Sequence, residues 1–183
     1  ITCGFRIFLP FCNSTMKVLA IDPGLRNMAF CVMQDGNVVW LERVDLFPGE
    51  DIQVDTLFGR ITEWCTKHKE IFESADVVVI ERQFCNDKHR LSMCLMQVQT
   101  VLQCFAIDKH FLIHAATIKK RYNTQRLRHR QNKEAAVECV TQLYPDIVQY
   151  KGKIDDLCDA FLLAHYSNST FSSKFLQKLT RRQ

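Results

Sequence analysis

The chain has 183 residues, 47% of them apolar, and a formal net charge of +4. That is enough chain to bury one domain's core, and the composition is too apolar for a disordered protein. No apolar run reaches the ~18 residues needed to cross a bilayer, which argues against a helical membrane protein, and no membrane is expected among its partners.

Residues 1–15, ITCGFRIFLPFCNST, precede the first methionine, Met16, and hold one charge and an apolar stretch broken by Pro10. They read as an extension or upstream translation outside the fold. Residues 16–183 read as a single domain with a Ser-rich, basic tail. Lys17–Asp22 is apolar enough for a buried strand, and Pro23-Gly24 turns the chain. Met28–Met33 is a second strand, and Asp35-Gly36 is a hairpin signal leading into a third, Val38–Val44. After FPGED, Leu57, Ile61, Trp64, His68 and Ile71 fall on one face of a helix. Asp76 opens VVVIE, residues 77–81, a continuous apolar strand of the fully buried kind.

A helix over about 88–108 carries Leu91, Leu95, Val98, Leu102 and Phe105 on one side, with Met93, Met96 and Val101 on others. So broad an apolar surface predicts burial against both the sheet and a second subunit. Phe111–Ala115 is a short fifth strand; His114 near its end reads as structural. A basic, polar segment follows, then a helix from about Lys133 to Leu143 closed by Pro145, and a last helix over Asp155–Tyr166. Three hairpin-linked strands, then two crossover-linked strands with helices between, describe an α/β protein with a mixed five-stranded sheet flanked by helices. That is the element order of the ribonuclease H-like fold.

Nine cysteines show no CxxC spacing and mostly sit beside core-type residues. An odd count without framework spacing predicts reduced, buried thiols in an intracellular compartment rather than disulfides or structural zinc. Charge is unevenly spread. From Ala116 to Lys133 there are seven Lys or Arg and no acid, whereas acids crowd into 42–55, 70–76 and 155–159. This asymmetry predicts a basic face beside a separate acidic site.

Asp22 and Glu81 both end apolar strands, the first and the fourth, which this element order makes parallel neighbours. Asp156 and Asp159, three apart, share a face of the last helix, with Asp155 as its N-cap. The pair Asp155/Asp159 is geometrically possible too, and spacing alone does not choose. Singly, each acid is explained as a solvated strand end or as a helix-dipole partner. Together they repel, and a bound divalent cation is the natural relief. Oxygen-only ligands select Mg²⁺ or Mn²⁺ over zinc, and two such ions about 4 Å apart can drive phosphodiester cleavage.

IDPGLRN, VVVIERQF and DDLCDAFLLA resemble the three acidic motifs of RuvC-type Holliday junction resolvases, and the IERQ form resembles the poxvirus and mitochondrial branch. The likeness runs from about Met16 to Tyr166. It implies Asp22, Glu81, Asp156 and Asp159 as the catalytic, metal-binding set, its D-x-x-D-A motif favouring Asp156 over Asp155. It also implies a homodimer that nicks two strands of a four-way DNA junction symmetrically with Mg²⁺, two ions serving and Mn²⁺ an acceptable substitute. The nicks would carry 5′-phosphate and 3′-hydroxyl ends. The helix over 88–108 lies where the family's dimer interface is expected. A viral replication site, the nucleus and a mitochondrion all suit such an enzyme.

By the same resemblance, Phe84 matches an aromatic that meets bases at the crossover, where stacking is chemically sensible; a core aromatic is the plain alternative. Lys119 or Lys120, and Lys133, are the nearest matches to the family's lysine-containing stretch. With Arg121, Arg126, Arg128 and Arg130 they form the expected DNA-binding set. Other readings are a ribonuclease H acting on RNA–DNA hybrids, which shares the acids, and a junction-binding protein without catalysis. An ATP-binding domain of the actin type needs glycine-rich phosphate loops, for which six glycines leave little room.

Overall fold

A computed structural model of the chain describes residues 16–84, 90–125, 128–150 and 153–180. The expected extension, residues 1–15, and Arg126 lie outside them. Strands β1 (Lys17–Asp22), β2 (Met28–Gln34), β3 (Asn37–Val44), β4 (Val77–Glu81) and β5 (His110–Ile113) form one sheet in the order β3-β2-β1-β4-β5. β1–β2 and β2–β3 are antiparallel; β1–β4 and β4–β5 are parallel. The mixed five-stranded α/β sheet read from the sequence is therefore the one observed.

Its central strands read as unbroken apolar runs because both faces are covered. Leu19 and Ile21 of β1, Phe30 of β2 and Ile80 of β4 point to one core, packed beneath α1 (Val54–Lys67), α2 (Lys69–Ser74) and α3 (Arg90–Phe105). Val18, Ala20, Cys31 and Val79 point to the other, beneath α4 (Ala115–Arg121), α5 (His129–Leu143) and α6 (Asp155–Thr180). Side-chain alternation along each strand thus divides one apolar sequence between two cores.

Local chemistry fixes the register. Asp35 and Gly36 both take positive φ, 51° and 82°, which gives the tight β2–β3 hairpin the twist its strands need. Asp76 Oδ2 accepts the Lys17 N–H at 2.8 Å, and the Asp76 N–H donates to Lys17 O at 2.8 Å. This clasp ties the start of β4 to the start of β1.

Several element ends differ from the sequence reading. The first helix breaks at His68, whose ring stacks on Trp64 while its N–H donates back to Trp64 O. β5 ends at Ile113, and His114 is the N-cap of α4, a helix that runs into the segment read as basic and polar. Only Ile118 of α4 is buried, too little apolar patterning to show in the sequence. α5 begins at His129 rather than Lys133. A 3-10 turn, Pro145–Gln149, follows it. α6 runs on to Thr180, through the serines read as a tail. Ser167 donates to Leu163 O at 2.7 Å and Ser169 to Tyr166 O at 2.8 Å, bonds that let hydroxyls sit inside a helix.

The six described cysteines are free thiols, four of them buried; Cys104 is exposed, against expectation. Among the described residues no helix is long and apolar enough to cross a membrane.

Candidate active site

In the middle of the sheet Ile21 lies opposite Ile80. Asp22 and Glu81 are the next residue on each strand, so both carboxylates emerge at the carboxyl end of the parallel pair, where open α/β sheets carry their sites. Pro23 and Gly24 then turn the chain back towards β2. A Cβ on Gly24 would stand 2.7 Å from the backbone carbon of Asn27 and 2.7 Å from the nitrogen of Met28, so the turn needs glycine for its close approach.

α6 brings the second pair. Leu157, Cys158, Phe161 and Leu162 bury one side of this helix in the core it shares with β1 and β2. Asp156 and Asp159 lie close enough to Asp22 that their charges act on it. Burial first, then Glu81, Asp159 and Asp156, push Asp22 well above the ordinary carboxylate range, against the opposing charge of Lys133. Burial and Asp159 raise Glu81 to about 7, opposed by Lys119 and by a hydrogen bond from Gln83. Burial raises Asp159 to about 6, with Lys119 and Lys133 opposing and Asp156 and Asp155 adding. Asp22, Glu81 and Asp159 keep partial exposure to solvent, so protons and ions can reach them.

Asp156 Oδ2 is buried without a hydrogen-bond partner, with Lys153 Nζ 3.5 Å away. Among the described residues no three acidic, imidazole or thiol groups are drawn closely enough together to hold a metal ion. The carboxylates act on one another's charge without closing into a ligand shell. Their chemistry still fits a hard divalent cation: oxygen donors only, mutual repulsion, and a buried oxygen without a hydrogen bond.

Asp155 is not the expected N-cap. Its Oδ2 pairs with Lys133 and with Lys153, the latter at 3.2 Å, and its Oδ1 is buried without a partner. Those lysines hold its pKa down despite burial. Lys133 thus reaches the acidic cluster from α5 on a carboxylate tether. Lys119, half-buried on α4, acts on Glu81 and Asp159. Lys120, Arg121 and Arg128 are exposed, and Arg130 is exposed while bonding Glu134 at 2.8 Å. Sequence reasoning missed Lys153, whose only signal was its place one helical turn before Asp156.

Phe84 is 64% exposed, so it is no core aromatic. Its ring stacks on His114, centroids 5.3 Å apart and planes at 29°, and His114 Nε2 lies 3.2 Å from Arg82 Nη1. His114, set aside as structural, stands at the rim of the site.

Among solved structures, Thermus thermophilus RuvC in complex with Holliday junction substrate is similar at TM-score 0.58 and 17% identity, over 87% of this chain and 96% of that one. A second Thermus thermophilus RuvC structure gives 0.56 and 17% over the same shares, 87% and 96%. The yeast mitochondrial Holliday junction resolvase, Ydc2, gives TM-score 0.61 and 14% identity over 90% of this chain and 85% of that one. These likenesses are of fold, the ribonuclease H-like one. No curated protein sequence matches the chain. The family described as Poxvirus A22 protein matches residues 16–167, from the residue before β1 to a point well along α6. The chain belongs to that family.

Proposed function

We propose that this chain is a Holliday junction resolvase, a metal-dependent endonuclease that acts as a homodimer and cuts four-way DNA junctions by paired, symmetric nicks. The observation that carries the reading is that Glu81, Asp156 and Asp159, from a strand and a helix, all act on the charge of Asp22 on the neighbouring strand. The fold shared with RuvC and Ydc2 supports the substrate class.

Asp22, Glu81, Asp156 and Asp159 would hold the divalent cations, Mg²⁺ or Mn²⁺. Such ions supply Lewis acidity for attack on phosphorus and departure of the leaving oxygen. The chain's own groups do the rest. Asp159 is raised to about 6 and Glu81 to about 7, so near neutral pH Glu81 is partly protonated, and a cation held there would favour the ionised form of both. Lys119 and Lys133 set positive charge beside the acids, which lets a phosphodiester approach a cluster that would otherwise repel it. Lys120, Arg121 and Arg128 extend that charge outward for the DNA backbone. Phe84 presents a ring face at the rim, suited to an unstacked base at the branch point. Water adds to phosphorus, the bond to the 3′ oxygen breaks, and the products are a 5′-phosphate and a 3′-hydroxyl.

Cleavage of a synthetic four-way junction with Mg²⁺, beside matched duplex and RNA–DNA hybrid, tests this reading. Paired nicks confined to the junction and lost in Asp156→Asn are expected. Hybrid cutting without junction cutting moves the protein to ribonuclease H chemistry. Tight junction binding without cleavage in Mg²⁺ or Mn²⁺ makes it a binding protein.

A further inference from the structure

Beyond Glu81 the ladder between β4 and β5 runs out, yet the next three residues carry much of the rim. Arg82 still donates its N–H to Ile113 O at 2.8 Å. Gln83 has left the sheet, and its N–H donates instead to Oε1 of Gln99, on α3, at 2.7 Å. Phe84 then stands out against His114.

Gln99 is an unusual residue for its place. It is 4% exposed, with Cys94, Val98, Val101 and Leu102 of the same helix buried around it. An amide in such surroundings is costly unless its polar atoms are paired. They are. Its Nε2 donates to Gln103 Oε1 at 3.2 Å, Gln103 Nε2 lies 3.1 Å from His110 Nε2, and His110 Nδ1 lies 3.2 Å from Ala106 O. One assignment satisfies every link: a neutral His110 with its proton on Nδ1, donating to Ala106 and accepting from Gln103. Reversing the Gln99 amide would set its NH₂ against the Gln83 N–H, so the chain of bonds fixes the amide's orientation. Gln83 closes the arrangement, its Nε2 reaching Glu81 O at 3.4 Å.

We propose that Gln99 is a positioning residue for the resolvase reaction. It fastens the Arg82–Gln83–Phe84 turn to α3, which fixes the carboxylate of Glu81 among the other acids and the ring of Phe84 at the rim. The role rests on the resolvase reading given above. Because α3 is also the helix expected to meet a second subunit, Gln99 ties the active-site rim to the pose of that helix. The sequence marks the residue only as a polar interruption of an apolar stripe.

Two variants separate positioning from bulk structure. Gln99→Met keeps the volume and leaves the Gln83 N–H without an acceptor; Gln99→Glu, as the neutral acid that so buried a place favours, keeps the acceptor and an O–H to donate to Gln103. Single-turnover cleavage at saturating junction, junction affinity by fluorescence anisotropy, and emission of 2-aminopurine at the branch point are read in parallel. Gln99→Met should bind junction within about twofold of wild type and cut about tenfold or more slowly. It should also lose the 2-aminopurine rise that reports base unstacking. Gln99→Glu should recover most of both signals. Wild-type cleavage and emission in Gln99→Met overturn the proposal, as does a failure of Gln99→Glu to improve on it. Amide exchange on the wild-type protein needs no variant: a protected Gln83 N–H is expected, and rapid exchange there refutes the bond itself. A wild-type protein that cuts no junction would sink the resolvase reading instead, with the exchange result unaffected.

Discussion

Asp22 and Glu81 leave neighbouring parallel strands side by side, each one residue beyond the paired Ile21 and Ile80. The sheet therefore forces two carboxylates together, and α6 adds two more. In the metal-free protein this is a destabilising arrangement, since like charges near one another in a partly buried site repel. Asp22→Asn should raise the melting temperature of the metal-free protein at pH 8 by about 2–4 °C, the shift that ~1 kcal/mol gives in a chain of this size. The same change should lower junction cleavage by ~10²–10³. A melting temperature that falls would mean that Asp22 is compensated by neighbours, without need of a cation.

The pH dependence follows from the direction of the shifts. Glu81 and Asp159 have folded-state values of about 7 and about 6, above the roughly 4 of unfolded carboxylates. A raised carboxylate favours the fold while protonated. Its contribution is fully present below about pH 4 and is lost as pH rises through the folded value. Denaturant unfolding in a chelator should therefore show wild type losing stability relative to Glu81→Gln between about pH 4 and pH 7. Mg²⁺ at pH 8 should restore it. A constant difference between the two proteins across this range would contradict the assignment.

Asp155 and Asp156 are adjacent in sequence, yet the structure gives them different surroundings. Asp155 Oδ2 joins Lys133 to Lys153, whereas Asp156 has only Lys153, at 3.5 Å, and its charge acts on Asp22. Asp155→Asn should cost about 1–3 kcal/mol of stability by leaving two ammonium groups without their shared carboxylate. It should leave Mn²⁺ affinity, measured by calorimetry, within about threefold. Asp156→Asn should weaken Mn²⁺ binding by about tenfold or more. Equal loss of Mn²⁺ binding in both would make Asp155 a ligand.

Much of this was legible in the sequence, for physical reasons. Strands buried on both faces must be apolar throughout, so an acid ending such a run stands out, and Asp22 and Glu81 did. Asp35-Gly36 announces its hairpin because both positions need positive φ. The roles within IDDLCDA were less visible, because an N-cap, an ion-pair partner and a ligand are all written as aspartate at a helix start. Asp155 was misread on that account. α4 escaped because a helix with one buried residue has no periodic signature, and the extension of α6 because serine's back-bond to the helix is invisible without coordinates. Gln99 matters through Gln83, which lies just past β4, a relation that local pattern does not carry. Lys153 pairs with Asp155 and Asp156 close by, but one lysine ahead of a helix is too common a feature to stand out.

Gly24 offers a test of the turn rather than the chemistry. Gly24→Ala would set a methyl 2.7 Å from backbone atoms of Asn27 and Met28, which cannot yield as a side chain can. Destabilisation of about 1–3 kcal/mol by denaturant unfolding is expected. Cleavage should fall with it, since the turn follows Asp22 directly. An unchanged midpoint would show that the turn has room to open.

Leu91 and Met93 on α3 are 58% and 51% exposed in the single chain. Exposed side chains of one protomer contribute little to its own fold, so Leu91→Glu or Met93→Glu should change monomer stability by less than about 0.5 kcal/mol. In a homodimer formed through this helix the same glutamate would be buried without a cation to pair with, a strongly unfavourable position. Sedimentation should therefore show wild type at twice the chain mass and the variant at the chain mass. Paired junction nicking should disappear while circular dichroism stays unchanged. A variant that keeps the dimer mass would remove α3 as the interface and leave the pairing of the two active sites to another face. A wild type at the chain mass would remove the dimer itself.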